Sequence, residues 1–451
     1  MRRVALGLVG AGLGAVIVVV TLAVAGGGGS TKIGGNVLVH APGPIDANNS
    51  PTVVRNPTQP DNLVASYRVD RPRFNAAVQS STDGGLTWRP TPLPLPEGLD
   101  RPFGPDLGFA PDGTFYVTYS NLAGNGNVPD NLWVARSGDG GRTLSAPVRV
   151  TGRLTFQPRI AIGNDGAVHV IWLQGDEVGL LRLAGRPAPV LASRSTDGGR
   201  TFSEPVRVSD PERERVGAAS PVIDSNGELV VMYEDFKGDF RDFENREGPA
   251  WDSPFALVIT RSTDGGRTFA KGTELESGLV PLRRFLVFLP EFPSLAAGPG
   301  GRLYAAWADG RNGDEDVLLR RSDDGGRTWA AAVQVNDNAR GDGTTQNLPR
   351  LDVAPDGRVD VIFYDRRHDP DDILTDVYLA TSSDRGRSFR NVRVTSQAFD
   401  SRIGPMVSLE HGTDFGTRLG LASDDDGLVA VWTDTRNGSD ATGRQDVLAA
   451  A

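Results

Sequence analysis

From residue 36 onward the chain alternates short apolar runs with turn-forming residues and never sustains a helical period. Typical pairs are Pro158-Arg159-Ile160-Ala161-Ile162 with Val168-His169-Val170-Ile171-Trp172, and Pro349-Arg350-Leu351 with Val359 to Tyr364. Short runs rich in β-branched and aromatic residues, bounded by Gly, Asn, Asp and Pro, predict strands joined by tight turns. The units recur, with openers at Pro51, Pro105, Pro158, Pro221, Pro293 and Pro349, and a seventh near Thr417-Arg418-Leu419-Gly420-Leu421. Each closes on an outer run such as Pro147-Val148-Arg149-Val150 or Asn391-Val392-Arg393-Val394. The seventh stops after Asp446-Val447-Leu448 without one, and Asn36-Val37-Leu38-Val39 has the pattern of the missing strand. The expectation is an all-β, seven-bladed propeller of four-stranded antiparallel blades, with the N-terminal strand completing the last blade so that no sheet edge is left open. Six blades plus an extra hairpin is the alternative.

A second pattern is Ser-x-Asp-x-Gly-x-Thr-aromatic. It stands at Ser81 to Trp88, Ser195 to Phe202, Ser262 to Phe269 and Ser322 to Trp329. Two copies are degenerate: Ser137 to Leu144 lacks the aromatic, and Ser382 to Phe389 has Ser388 for Thr. The aspartates are Asp83, Asp139, Asp197, Asp264, Asp324 and Asp384, spaced 56, 58, 67, 60 and 60 apart. Glycine supplies positive φ and the short polar side chains bond turn amides, so the motif reads as a hairpin turn. Identical residues repeated around a fold serve the fold rather than catalysis.

This motif resembles the Asp-box, or BNR, repeat of sialidases and related β-propellers. The resemblance implies that the boxes lie on the periphery, away from an axial site. It also implies what a sialidase site needs. An Arg two residues before the first blade's Pro would grip a carboxylate, but Asn49 occupies that place in Asn48-Asn49-Ser50-Pro51. A late Tyr nucleophile is required, but the nearest match is Phe415 in Asp414-Phe415-Gly416. Sialidases have six blades, a further departure. The sequence therefore points to the architecture without the sialidase chemistry.

Ahead of the propeller, Arg2 and Arg3 precede an uncharged run from Val4 to Ala25. Its 22 residues, at ~1.5 Å each, match a ~30 Å hydrocarbon core. Residues 1–25 are expected to form an apolar helix, either a single-pass membrane anchor or a signal peptide cut after Ala23-Val24-Ala25. Residues 26–35 form a Gly-rich linker and 36–451 the propeller, placed outside the cytoplasm, tethered or secreted.

Composition narrows the function classes. The 451 residues include no cysteine, which excludes disulfides, thiol nucleophiles and Cys-ligated metals. The net charge is −10, and the leader and linker carry only Arg2, Arg3 and Lys32, so the body is more acidic still. An acidic body argues against nucleic acid. No cofactor is expected. Calcium is considered at Asp314-Glu315-Asp316, at Asp369, Asp371, Asp372 and Asp376, and at Asp424-Asp425-Asp426, none of which has an EF-hand pattern.

Candidate chemistry falls at the axial funnel. Asn49, Phe103, Phe156, Ala219, Glu291, Asn347 and Asp414 stand just before the blade openers. Glu291 and Asp414 are the candidate catalytic carboxylates, because glycoside hydrolysis uses one acid raised in pKa and one ionised. Asn49 and Asn347 are candidate ligand contacts. So are Arg311, Arg367 and Arg436 of a repeated Asp-x-Arg, otherwise an ion pair holding each blade, and Trp251 of the long blade 4 insertion, 236–253. Two functions follow: a module binding glycan or an extracytoplasmic protein, and, as the alternative, a glycoside hydrolase of sialidase-like fold using a carboxylate pair. A polysaccharide lyase on this fold is a third.

Overall fold

The computed structural model describes residues 33–41, 43–124, 128–175, 188–237, 254–280, 291–405 and 415–451. The leader, most of the linker and much of the blade 4 insertion, with Trp251, lie outside them, as does Asp414. The described residues form seven antiparallel sheets in a ring. Each blade runs from an innermost strand at the axis to an outer strand at the rim. The innermost strands are Ala47–Asn56, Pro102–Phe109, Thr155–Ile162, Val216–Ile223, Ser294–Gly298, Gln346–Val353 and Gly420–Ser423. Six blades have four consecutive strands, blade 6 adding a short fifth, Phe399–Asp400.

Blade 7 is built from both ends of the chain. Val37–Leu38 pairs antiparallel with Asp446–Ala450, Val37 opposite Ala449 and Leu38 opposite Leu448. The amides of Gly34 and Val39 extend the ladder to the Ala451 and Val447 carbonyls at 2.7 and 2.9 Å. Seven blades and six box motifs are thus one fact: the outer strand of blade 7 is Val37–Leu38, from the other end of the sequence, so it is not reached through a box turn.

Alternating side chains of neighbouring sheets interlock, and seven apolar clusters fill the seven blade interfaces. Between blades 7 and 1, for example, Val53, Leu63 and Tyr67 pack against Val39, Val429, Val431 and Val447. Trp172, Trp307 and Trp432, each two residues before the end of a second strand, are fully buried. Gly416 sits at the same seam with φ +83°, and a Cβ there would lie 2.1 Å from Ser50 Oγ, so only glycine fits.

All six box motifs close one hydrogen-bond set at the rim. At Asp264, Oδ1 accepts from Ser262 Oγ at 2.7 Å and from the Thr268 amide at 3.0 Å, Oδ2 from Thr268 Oγ1 at 2.6 Å, and the Gly266 amide donates to Ser262 Oγ at 2.7 Å. Ser388 gives Asp384 the same hydroxyl bond at 2.6 Å, so its departure from Thr costs no contact. Burial opposes the charge on Asp139, but bonds from Ser137, Thr143 and the turn amides outweigh it and hold its carboxyl at about 2.

Truncation before Ala47 is expected to lower the melting temperature by more than 10 °C relative to truncation before Ile33 and to produce oligomers on size-exclusion chromatography, since it strips Val39 from the core and opens an edge at Asp446–Ala450. Asp139 titrates lower folded than unfolded, so its stabilisation is complete above pH ~4 and lost as pH falls through about 2. Asp139→Ala should cost about 1 kcal/mol at pH 7 and distinctly less at pH 2, as read by urea unfolding.

Candidate functional site

Six of the seven innermost strands, all but that of blade 5, are opened by the same local device. In blades 1, 2, 3, 4 and 6 the pairing with the second strand slips by an extra residue at the opener. The slip is made by a residue of positive φ: Ser50 (53°), Gly104 (60°), Gln157 (52°), Ala218 (49°) and Leu348 (52°), with Gly416 (83°) in blade 7. In blades 1, 2, 3 and 6 a proline follows, which needs no ladder amide where the ladder is broken. The kink turns the second residue beyond the positive-φ position toward the axis, as Asp106, Arg159, Arg350 and Arg418 all do. The sequence misplaces the device in two blades. In blade 4 it lies at Ala218, so Gly217, not Ala219, is the counterpart of Asn49. In blade 7 that counterpart is Phe415, next to the undescribed Asp414.

Two carboxylates from neighbouring blades, Glu234 and Glu291, influence each other electrostatically. Glu234, at the end of a second strand in blade 4, stands opposite Gly217, and Glu291 precedes the innermost strand of blade 5. Asn347 of blade 6 donates to Glu291 Oε1 at 3.3 Å. Burial, and after it the negative charge of Glu291, pushes the Glu234 carboxyl well above the usual range. Phe292, next to Glu291, reaches across the axis. Its ring centre lies 3.9 Å from the Arg159 guanidinium carbon, and its amide is 3.4 Å from the Thr417 carbonyl.

The other side of the mouth is cationic. Arg68, Arg159 and Arg418 line it, and Arg350 joins Arg159 and Arg418 around a cavity of about 320 Å³ on the axis below. Arg68 is bonded to Asp70 at 2.7 and 2.8 Å. Arg418 lies 3.6 Å from Asp106, which also accepts the Ile160 amide at 3.0 Å. Deeper in, burial raises the Asp352 carboxyl to about 6 although the Ser423 amide and Arg350 favour its charged form.

The remaining candidates distribute as follows. Asn49 is wholly buried and donates to Asp70 at 2.8 Å and Gln445 at 3.2 Å, so it holds the carboxylate that holds Arg68. Asn347 touches Glu291. Arg311, Arg367 and Arg436 each bond the aspartate two residues earlier, Nε to Asp309, Asp365 and Asp434 at 2.7, 2.9 and 2.9 Å. Their other contacts run to the outer strands, with Arg367 also over the Tyr378 ring, and none reaches the axial cluster. The acidic loops are engaged internally: Asp314 accepts the Gly341 and Gly343 amides, and Asp369 those of Ile373 and Leu374. Among the described residues no group of three or more His, Asp or Glu is arranged to hold a metal ion. Sequence reasoning missed Glu234 as a site residue and the axial arginines. The signal for the arginines was the residue after the opener, in Pro158-Arg159, Pro349-Arg350 and Thr417-Arg418.

No protein-family model matches the sequence, and no curated protein does. Solved structures do. A protein of unknown function from Dyadobacter fermentans matches with a TM-score of 0.51 and 18% identity, over 73% of this chain and 93% of that one. The Hadza microbial sialidase Hz136 matches with a TM-score of 0.49 and 18% identity, over 86% and 73%. An ulvan lyase matches with a TM-score of 0.49 and 11% identity, over 86% and 92%. At these identities the likeness is one of fold.

Glu234 binds its proton more tightly folded than unfolded, so it penalises the native state as pH rises above its unfolded value near 4.3 toward its raised folded one. Glu234→Gln is therefore expected to match the parent's stability at pH 4 and exceed it at pH 8, measured by denaturant unfolding at both.

Proposed function

We propose that this chain is an exported propeller, tethered to the membrane by residues 4–25, that takes a glycan into its axial mouth and cleaves a glycosidic bond there. The observation that carries the reading is the Glu234–Glu291 pair. Burial and its neighbour's charge push the Glu234 carboxyl upward, toward its protonated form, and it makes no hydrogen bond or ion pair among the described residues that would commit it elsewhere. A protonated acid beside a second carboxylate is the pairing glycoside hydrolysis uses. Glu234 would protonate the leaving oxygen, and Glu291, oriented by Asn347, would act on the anomeric carbon directly or through water. The Asp-box resemblance and the propeller fold are compatible with this reading and do not by themselves assign it. The sialidase positions at Asn49 and Phe415 favour a non-sialidase substrate.

A panel of fluorogenic glycosides, a sialoside included, tests it on the purified protein. Turnover of a non-sialic glycoside is expected, reduced about 10²–10⁴-fold in kcat by Glu234→Gln and by Glu291→Gln, with Asn347→Ala intermediate. Glycan binding without turnover would return the mouth to the role of a binding module. Sialoside cleavage would overturn the argument from Asn49 and Phe415.

A further inference from the structure

The arginines at the axis are out of balance with their partners. With Arg68 matched by Asp70, three guanidinium groups remain: Arg159, Arg350 and Arg418, the last donating to the Ser50 carbonyl at 3.3 Å and to the Pro105 carbonyl. Their acidic company is Asp106, shared with the Ile160 amide, and Asp352, whose oxygens accept the Ser423 and Val353 amides at 2.7 and 2.9 Å. Arg159 is 8% exposed, and beyond its stacking on Phe292 its only side-chain hydrogen bond among the described residues is to the Pro158 carbonyl at 3.1 Å. Arg350 makes no side-chain hydrogen bond or ion pair among them, and its buried Nε has no partner. Buried guanidinium groups left unpaired are costly, and like charges in a low-dielectric setting add to the cost.

We propose that Arg159, Arg350 and Arg418 form a binding site for an oxyanion at the throat of the propeller, where the mouth meets the axial cavity. The same three arginines are displayed from blades 3, 6 and 7 by the same strand-opening kink, so their convergence is built into rigid elements rather than loops. The cavity's 320 Å³ is about the volume of ten waters at ~30 Å³ each, room for a carboxylate or sulfate with part of its hydration. Arginine forks suit a planar or tetrahedral oxyanion because they donate two parallel bonds. None of the three stands at the place of Asn49, where the sialidase resemblance would put a carboxylate-gripping arginine. Burial and mutual repulsion already depress Arg159 and Arg418, which an anion would relieve. The oxyanion could be a substituent of the glycan or a free inorganic ion. The proposal rests on the mouth being the glycan site only for the first of these.

The test is calorimetric titration of the full chain in detergent with sodium sulfate and, separately, sodium glucuronate, at ionic strength held constant with sodium chloride. Saturable binding is expected, weakened at least tenfold by Arg350→Met and by Arg159→Met. Arg350→Met should melt no lower than the parent without anion, because it removes an unpaired charge, so lost binding will not report lost folding. Glu234→Gln should bind within twofold of the parent whether or not it abolishes turnover, which separates this site from the hydrolase reading. Binding of glucuronate alone would assign the anion to a glycan substituent, whereas sulfate binding would show that a free ion fills the site. Saturable binding of neither anion, or binding that both arginine variants leave unchanged, would overturn the proposal.

Discussion

Every blade of this protein is a twisted sheet with two apolar faces, and no blade can bury both except against its neighbours. Packing sheet on sheet around an axis solves this for seven blades at once, provided the ring closes. Closure falls to one short strand, Val37–Leu38, whose partner strand lies at the other end of the chain. Without it the blade 7–blade 1 interface would lose Val39, and a strand edge at Asp446–Ala450 would face water.

Closure also sets where chemistry is possible. Because the innermost strands are held parallel to one axis, a one-residue kink repeated at their openings aims side chains from different blades at a common point. The kink places a non-glycine residue at positive φ in four blades, a strained conformation held by the surrounding ladder. The strain is offset by packing at the blade interfaces and spent on position: Asp106, Arg159, Arg350 and Arg418, distant in sequence, become neighbours.

The resulting mouth is electrostatically divided. On one side, burial and then the charge of Glu291 push the Glu234 carboxyl toward its neutral form. On the other, arginines outnumber the acids available to them. The two sides are joined through Phe292, which follows Glu291 in the chain and stacks on Arg159. A sugar bearing a negative group would meet both, the acid pair at its glycosidic bond and the guanidinium groups at its charge. The six rim aspartates lie apart from this chemistry, each closed within its own turn.

Local rules account for what was legible in the sequence. Period-two patterning, glycine and proline punctuation and a repeat near sixty residues specify the strands, the seven blades, the box turns and the strand that closes the ring, because each depends on neighbours in the chain or on a repeat visible along it. The Asp-x-Arg pairs are equally local, and Arg311, Arg367 and Arg436 bond the aspartate two residues away. The site was legible only in part. Glu291 was singled out because it precedes an opener, but Glu234, whose carboxyl feels its charge, lies at the end of a strand of another blade, and nothing along the chain announces that the two interact. The kink in blade 4 falls three residues before its proline, since the ladder rather than Pro221 decides where the register slips. The arginine cluster depends on three blades converging on one axis, a long-range geometry that only the closed ring creates.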